Sequence, residues 1–177
     1  MGMVVSMAHC YPDDFFDQLP NENYSQYFDR LYDVFKNEIL NKLTLNGLPV
    51  RVREYPPEGF PREEAFYHLT CRDYNKGKTY RQPDFNRSKR IKFIKSIIEN
   101  VMNCPNCILD EKCNGILIWR KPWKKTDRYY LFLQEADLLI VLEKRASYYL
   151  LITSFYVDFN HHDHYLDEYD QFKVDNL

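Results

Sequence analysis

A chain of 177 residues with a formal charge of −2 falls within the size of one domain and can bury a core of its own. Aromatic residues make up 16% of it, 15 of them Tyr and 12 Phe, which excludes a disordered chain. Five cysteines are an odd number for a disulfide framework, the opening MGMVVSMAHC lacks a signal peptide's charged end and apolar run, and no apolar stretch approaches the ~20 residues that span a bilayer. A cytoplasmic protein without a membrane span is expected.

Residues 1–22 are rich in Pro and Asp without periodicity and read as an irregular arm, leaving 23–177 as the folded domain. From about Tyr24 to Leu45, Phe28, Tyr32, Phe35, Ile39 and Leu43 recur at three- and four-residue spacing, the stripe of an amphipathic helix, and Asn46-Gly47 supplies its stop. Leu48 to Tyr55 alternates as a strand, and Pro56-Pro57-Glu58-Gly59 turns the chain. Ala65 to Arg72 is a second expected strand with His68 in its middle. A histidine there suits proton transfer near neutral pH, or a hydrogen-bonded place in the core.

The charge then becomes strongly basic. Arg72 to Lys95 holds nine cations (Arg72, Lys76, Lys78, Arg81, Arg87, Lys89, Arg90, Lys92, Lys95) against Asp73 and Asp84, a local +7 between acidic ends. Asn75 to Pro83 reads as a polar loop, followed by a helix over about Arg87 to Met102 with Asn86 as its cap. Ile91, Ile94, Ile98 and Val101 form its apolar stripe. At about 100° per residue from Ile91, Arg87 lies near −40° and Arg90 near −100°, on the buried side, where a guanidinium needs an anionic or polar partner. Either these two arginines clamp phosphate, or they reach the rim or pair with acids such as Glu135 or Asp137.

Cys104, Cys107 and Cys113 form C-x2-C-x5-C, three thiols where structural zinc takes four ligands. His161, His162 or His164 would complete a site only if the chain end folds back. Gly115 to Trp119, Tyr129 to Leu133 and Leu138 to Glu143 read as strands, and Arg120 to Arg128 adds a second basic block of +4. Tyr148 to Val157 is apolar on both faces, as a central strand would be, interrupted by Thr153, Ser154 and Tyr156. Alternation sets Thr153 on the opposite face from Ser154 and Tyr156 unless a bulge intervenes. The chain closes on an acidic helix. No Walker loop, Rossmann fingerprint or Gly-x-Ser-x-Gly elbow is present, and no cofactor is expected.

The order Phe66-Tyr67-His68-Leu69-Thr70, Arg81-Gln82-Pro83-Asp84, Arg87-Ser88-Lys89-Arg90-Ile91, Ile118-Trp119, Asp137 to Leu142 and Tyr149 to Tyr156 resembles a known family. It is similar to the phage- and prophage-associated barnase–EndoU–colicin–RelE-like nucleases, also called phage P1-related proteins, over about Val34 to Tyr169. The resemblance implies an α+β fold with N-terminal helices packed on a four- to five-stranded antiparallel sheet. It also implies metal-independent RNA cleavage, in which the ribose 2′-hydroxyl attacks the adjacent phosphate. On this resemblance His68 serves as acid or base, Arg87 and Arg90 hold the phosphate, and Thr153 with Tyr156 orient or relay protons. Lys76, Arg81, Lys92, Trp119 and Ser154 would hold the RNA, and an antitoxin or immunity protein is an implied partner. The competing expectation is a non-catalytic protein whose basic face holds nucleic acid or an acidic partner.

Overall fold

The computed structural model describes residues 10–72, 81–106 and 113–176. Helix α1, Tyr24–Val34, starts on a capping box: Asn23 Oδ1 accepts the Gln26 N–H at 3.0 Å and the Asn23 N–H is taken by Gln26 Oε1 at 2.9 Å. A π-helical turn, Phe35–Ile39, closes it, so the helix stops short of Leu45. Asn46 and Gly47, both at positive φ, instead make the tight turn of a hairpin between β1, Leu43–Leu45, and β2, Leu48–Arg51. Asn-Gly is the residue pair this kind of turn prefers.

The segment expected as a strand from Ala65 to Arg72 is helix α2, Glu64–Thr70, with only β3, Cys71–Arg72, extended. No side chain caps the helix, but the N–H groups of Glu64 and Ala65 donate to the carbonyls of Tyr55 and Arg53 at 3.2 and 3.1 Å. Phe66 sits among Phe28, Tyr32 and Phe35, with ring centroids 4.8 to 5.5 Å away, and that aromatic nest overrides the strand propensity of the residues around it.

β4, Gln82–Pro83, pairs with β3. The expected single helix from Arg87 is two pieces: α3, Phe85–Ser88, and α4, Ile91–Asn100. The cap is Asp84, whose Oδ1 accepts the Arg87 N–H at 3.1 Å, and not Asn86. The break falls at Lys89 and Arg90, so one angular wheel does not run through both arginines.

Four long strands follow: β5, Ile116–Trp123; β6, Thr126–Leu133; β7, Leu138–Lys144; β8, Tyr149–Tyr156. The sheet has six strands in the order β1-β2-β8-β7-β6-β5 and is mixed, because β2 runs parallel to β8 while the other pairs are antiparallel. This corrects the expected four- to five-stranded antiparallel sheet. The fold is α+β, with α1 to α4 on one face and α5, His162–Asp175, on the other.

The main core gathers Leu31, Phe35, Phe66, Ile94, Ile98, Leu131, Ile140 and Leu151. A smaller cluster of Trp119, Phe132, Leu139 and Val157 lies under Tyr165, Leu166, Tyr169 and Phe172 of α5. β8 is thus covered on both sides, which explains its apolar character on both faces. Residues 10–22 carry no helix or strand, yet Phe16 N–H donates to Lys89 O at 2.7 Å and Phe15 packs on Phe93. No helix among the described residues is long and apolar enough to cross a membrane.

Candidate functional site

One helical turn separates Glu64 from His68, so α2 sets their side chains side by side: His68 Nε2 lies 3.1 Å from Glu64 Oε1. Arg53 Nη1 reaches the same oxygen at 3.4 Å and Arg81 Nη2 approaches it at 3.9 Å. Burial pushes the His68 pKa down; Glu64 pulls it back, while Arg81 and Arg53 add to the lowering, and the net direction is down. For Glu64 burial acts upward, but His68 and Arg53 outweigh it and hold the carboxyl below its usual range. At neutral pH the pair is therefore a neutral imidazole beside a carboxylate. An ionised carboxylate only accepts, so Nε2 carries the proton and Nδ1 offers its lone pair as a base. Both side chains are about 30% exposed, within reach of a substrate.

Arg87 lies next to this pair in another role. Its Nη1 donates to His68 O at 2.7 Å and Cys71 O at 3.0 Å, closing the carbonyl end of α2 with a cation where the helix dipole favours one. Its Nε is buried without a hydrogen-bond partner among the described residues. Burial lowers its pKa, but a guanidinium remains charged at neutral pH. Arg72 Nε pairs with Asp84 Oδ2 at 3.1 Å, bringing another cation to the same edge.

Arg90 belongs to a different cluster. Its side chain is 4% exposed, and it donates to Ala136 O at 2.5 Å, to Asn86 O at 2.6 Å and to Asp137 Oδ2 at 3.3 Å. Tyr156 and Phe15 cover the guanidinium with ring centroids at 4.5 and 4.8 Å. Asp137, at φ 50° between β6 and β7, turns its other oxygen toward His162 of α5. His162 Nε2 is 3.0 Å from Asp137 Oδ1 but off the line of a ring N–H, so this is a close contact and not a formed hydrogen bond. The alternative in which Arg90 pairs with Asp137 is the one observed, which removes its side chain as a free phosphate clamp.

The remaining expected residues divide by sheet face. β8 is irregular at Ile152: Leu151 pairs with Leu142, and Thr153 with Val141. The bulge precedes Thr153, so alternation beyond it is intact, and Thr153 faces away from Ser154 and Tyr156. Ser154 is buried, and its Oγ has no hydrogen-bond partner among the described residues. Trp119 is buried under α5 with Nε1 donating to Glu168 Oε2 at 3.3 Å, so it offers no surface for stacking bases. Lys92 lies over Phe16 at 5.0 Å, and Lys76 lies outside the described residues. His68, Arg81 and Arg87 thus come together, Arg90 and Tyr156 form a second group, and Thr153 and Trp119 join neither.

Cys104 Sγ accepts the Ile116 N–H at 3.0 Å and Cys113 Sγ the Gly115 N–H at 3.3 Å. Cys107 lies outside the described residues, and among those described no three His, Cys, Asp or Glu side chains are placed to hold a metal. Glu64 and Arg53 escape a reading of the sequence because their meeting with His68 depends on α2 being a helix. Spacing i, i+4 is the signal that would have disclosed Glu64, had the helix been recognised. The chain matches no protein-family model, and comparisons with curated proteins and with solved structures return no similar protein.

Proposed function

We propose that the chain is a metal-independent endoribonuclease of the toxin or phage-defence type, acting in the cytoplasm, with His68 as its general base and Glu64 as the carboxylate that orients it. The observation that carries this reading is the partly exposed Glu64–His68 pair with Arg53 and Arg81 on the same carboxylate. His68 Nδ1 takes the proton of a ribose 2′-hydroxyl, the 2′-oxygen forms a bond to the adjacent phosphorus, and the bond to the 5′-oxygen breaks. The 5′-oxygen takes a proton from solvent, leaving a 2′,3′-cyclic phosphate. Arg53, Arg72 and Arg81 neutralise the phosphate, while Arg87 and Arg90 are positioning residues that fix the end of α2 and the α3–α4 break. Membership of the barnase–EndoU–colicin–RelE-like nucleases is part of the proposal, supported by the residue pattern and the α+β architecture. Such an activity calls for an antitoxin or immunity protein in its host.

A second reading has an observation of its own. Arg87 and Arg90 are engaged by the protein's own carbonyls and by Asp137, as in a non-catalytic protein that holds an anionic partner with its exposed cations. Incubation of purified protein with total RNA in EDTA separates the two. Cleavage by the wild type, lost in His68→Ala and depressed in Glu64→Gln, is the expected result. Cleavage that persists in a folded His68→Ala protein overturns the assignment of the base, and a folded wild type that cuts nothing favours the binding reading.

A further inference from the structure

The turn between β5 and β6 and the turn between β7 and β8 lie at one end of the sheet, because Trp123 pairs with Thr126 and Lys144 with Tyr149. Arg90 and Asp137 lie at the other end, beside the pairing of Leu138 with Tyr156. Eight-residue strands separate the two ends by about 25 Å. Between the two turns runs an open groove of about 600 Å3 lined by Lys124, Lys125, Lys144 and Arg145, with Asp127 as its acid.

Most cations near this groove are matched to carboxylates: Arg120 to Asp127 at 3.5 Å, Lys121 to Glu168 at 2.5 Å, and Arg128 and Arg145 to Glu143 at 3.4 and 2.6 Å. Lys124 and Lys125 have no carboxylate within ion-pair distance among the described residues, whereas Lys144 Nζ donates to Arg145 O at 2.9 Å and lies over the Tyr149 ring at 4.9 Å. Lys124 and Lys125 occupy the tip of a hairpin of two eight-residue strands, with Lys124 at φ 55°. Trp123 stands beside them, 42% exposed, whereas the chain's other tryptophan, Trp119, is 1% exposed. The Arg128 guanidinium lies 3.9 Å from the centroid of the Trp123 indole, holding the ring as a fixed platform.

Unmatched lysines beside a held, exposed indole are the elements with which proteins grip single-stranded nucleic acid: cations for the backbone and a ring for a base. We propose that the Trp123–Lys125 hairpin tip is a single-stranded RNA-binding surface that shares no residue with the Glu64–His68 site. The choice of RNA rests on the proposed cleavage activity; the binding surface does not depend on it. An acidic polypeptide would satisfy the lysines equally but leave the indole without a stacking partner.

The test is fluorescence anisotropy of a short labelled 2′-O-methyl RNA, which has no free 2′-hydroxyl and is read for binding without cleavage. Failure of the cleavage reading therefore does not produce failure here. The paired substitution Lys124→Ala, Lys125→Ala should weaken binding and reduce the slope of log affinity against log salt by about 1.4, at roughly 0.7 for each phosphate left without its lysine. Trp123→Ala should weaken binding by about tenfold with little change in slope, because stacking is not ionic. All three residues are exposed, so thermal melting should be close to that of the wild type. Unchanged affinity and slope in the paired variant overturn the proposal. So does a wild type that binds poly-glutamate as tightly as the RNA probe.

Discussion

Arg90→Ala tests whether this arginine is part of the scaffold or a free phosphate ligand. Three acceptors lose their donor when the guanidinium is removed, but they are not equivalent. Asn86 is exposed and Asp137 is about one-third exposed, so both can rehydrate, whereas Ala136 is fully buried and its carbonyl is left without a partner. An orphaned buried carbonyl costs about 1–3 kcal/mol. Removing the stem and its packing on Phe15 and Tyr156 adds about 1 kcal/mol. With a discount for Asp137, the sum is about 3 kcal/mol, which for a chain of this length lowers the melting temperature by about 6–12 °C. Urea denaturation of wild type, Arg90→Ala and Arg90→Lys measures it. The lysine variant, which has no forked donor, should recover less than half of the loss. A loss below about 1 kcal/mol in Arg90→Ala, together with loss of phosphate binding, would refute the scaffold role.

His68 and Glu64 make stability depend on pH in one direction. Both have folded pKa values below their ordinary 6.5 and 4.5, so the unfolded chain binds more protons in the window just below each. Their contributions are present above about pH 6.5 and are lost as the pH falls through the lowered values; His68→Gln should flatten the upper part of that curve, and an unchanged curve counts against the pair. Ser154→Ala removes a buried hydroxyl that has no partner among the described residues, so denaturation should show stability unchanged or raised by up to about 1 kcal/mol. Thr153→Val, on the opposite sheet face from Tyr156, should leave RNA cleavage at the wild-type rate, and a tenfold fall would place it in the site after all. Trp119→Phe removes the buried indole and its bond to Glu168, leaving only Trp123 to fluoresce; the emission maximum should move to longer wavelength as the stability falls by about 1–2 kcal/mol. An unmoved maximum would mean that Trp119 is not buried.

Much of the architecture is written locally. Alternating and doubly apolar runs from Gly115 to Val157 specify four strands, because a period of two places side chains on faces whatever their partners are. The Phe28 to Ile39 part of the first apolar stripe, with Asn23 as cap, likewise determines a helix near the start. The helical state of Glu64–Thr70 was decided by tertiary structure, since its first N–H groups are satisfied by carbonyls of residues 53 and 55 and Phe66 is held by rings from α1 and the turn after it. The same contacts create the Glu64–His68 pair, which does not exist if that segment is extended. The sequence determined that two arginines near the α3–α4 break require polar partners. Which partners they take was decided only when the sheet brought Ala136 and Asp137, 46 and 47 residues downstream, beside Arg90, and the turn of α2 brought the carbonyls of His68 and Cys71 to Arg87. Composition reports that a charge needs neutralising. Distance, set by chain packing, selects which group neutralises it.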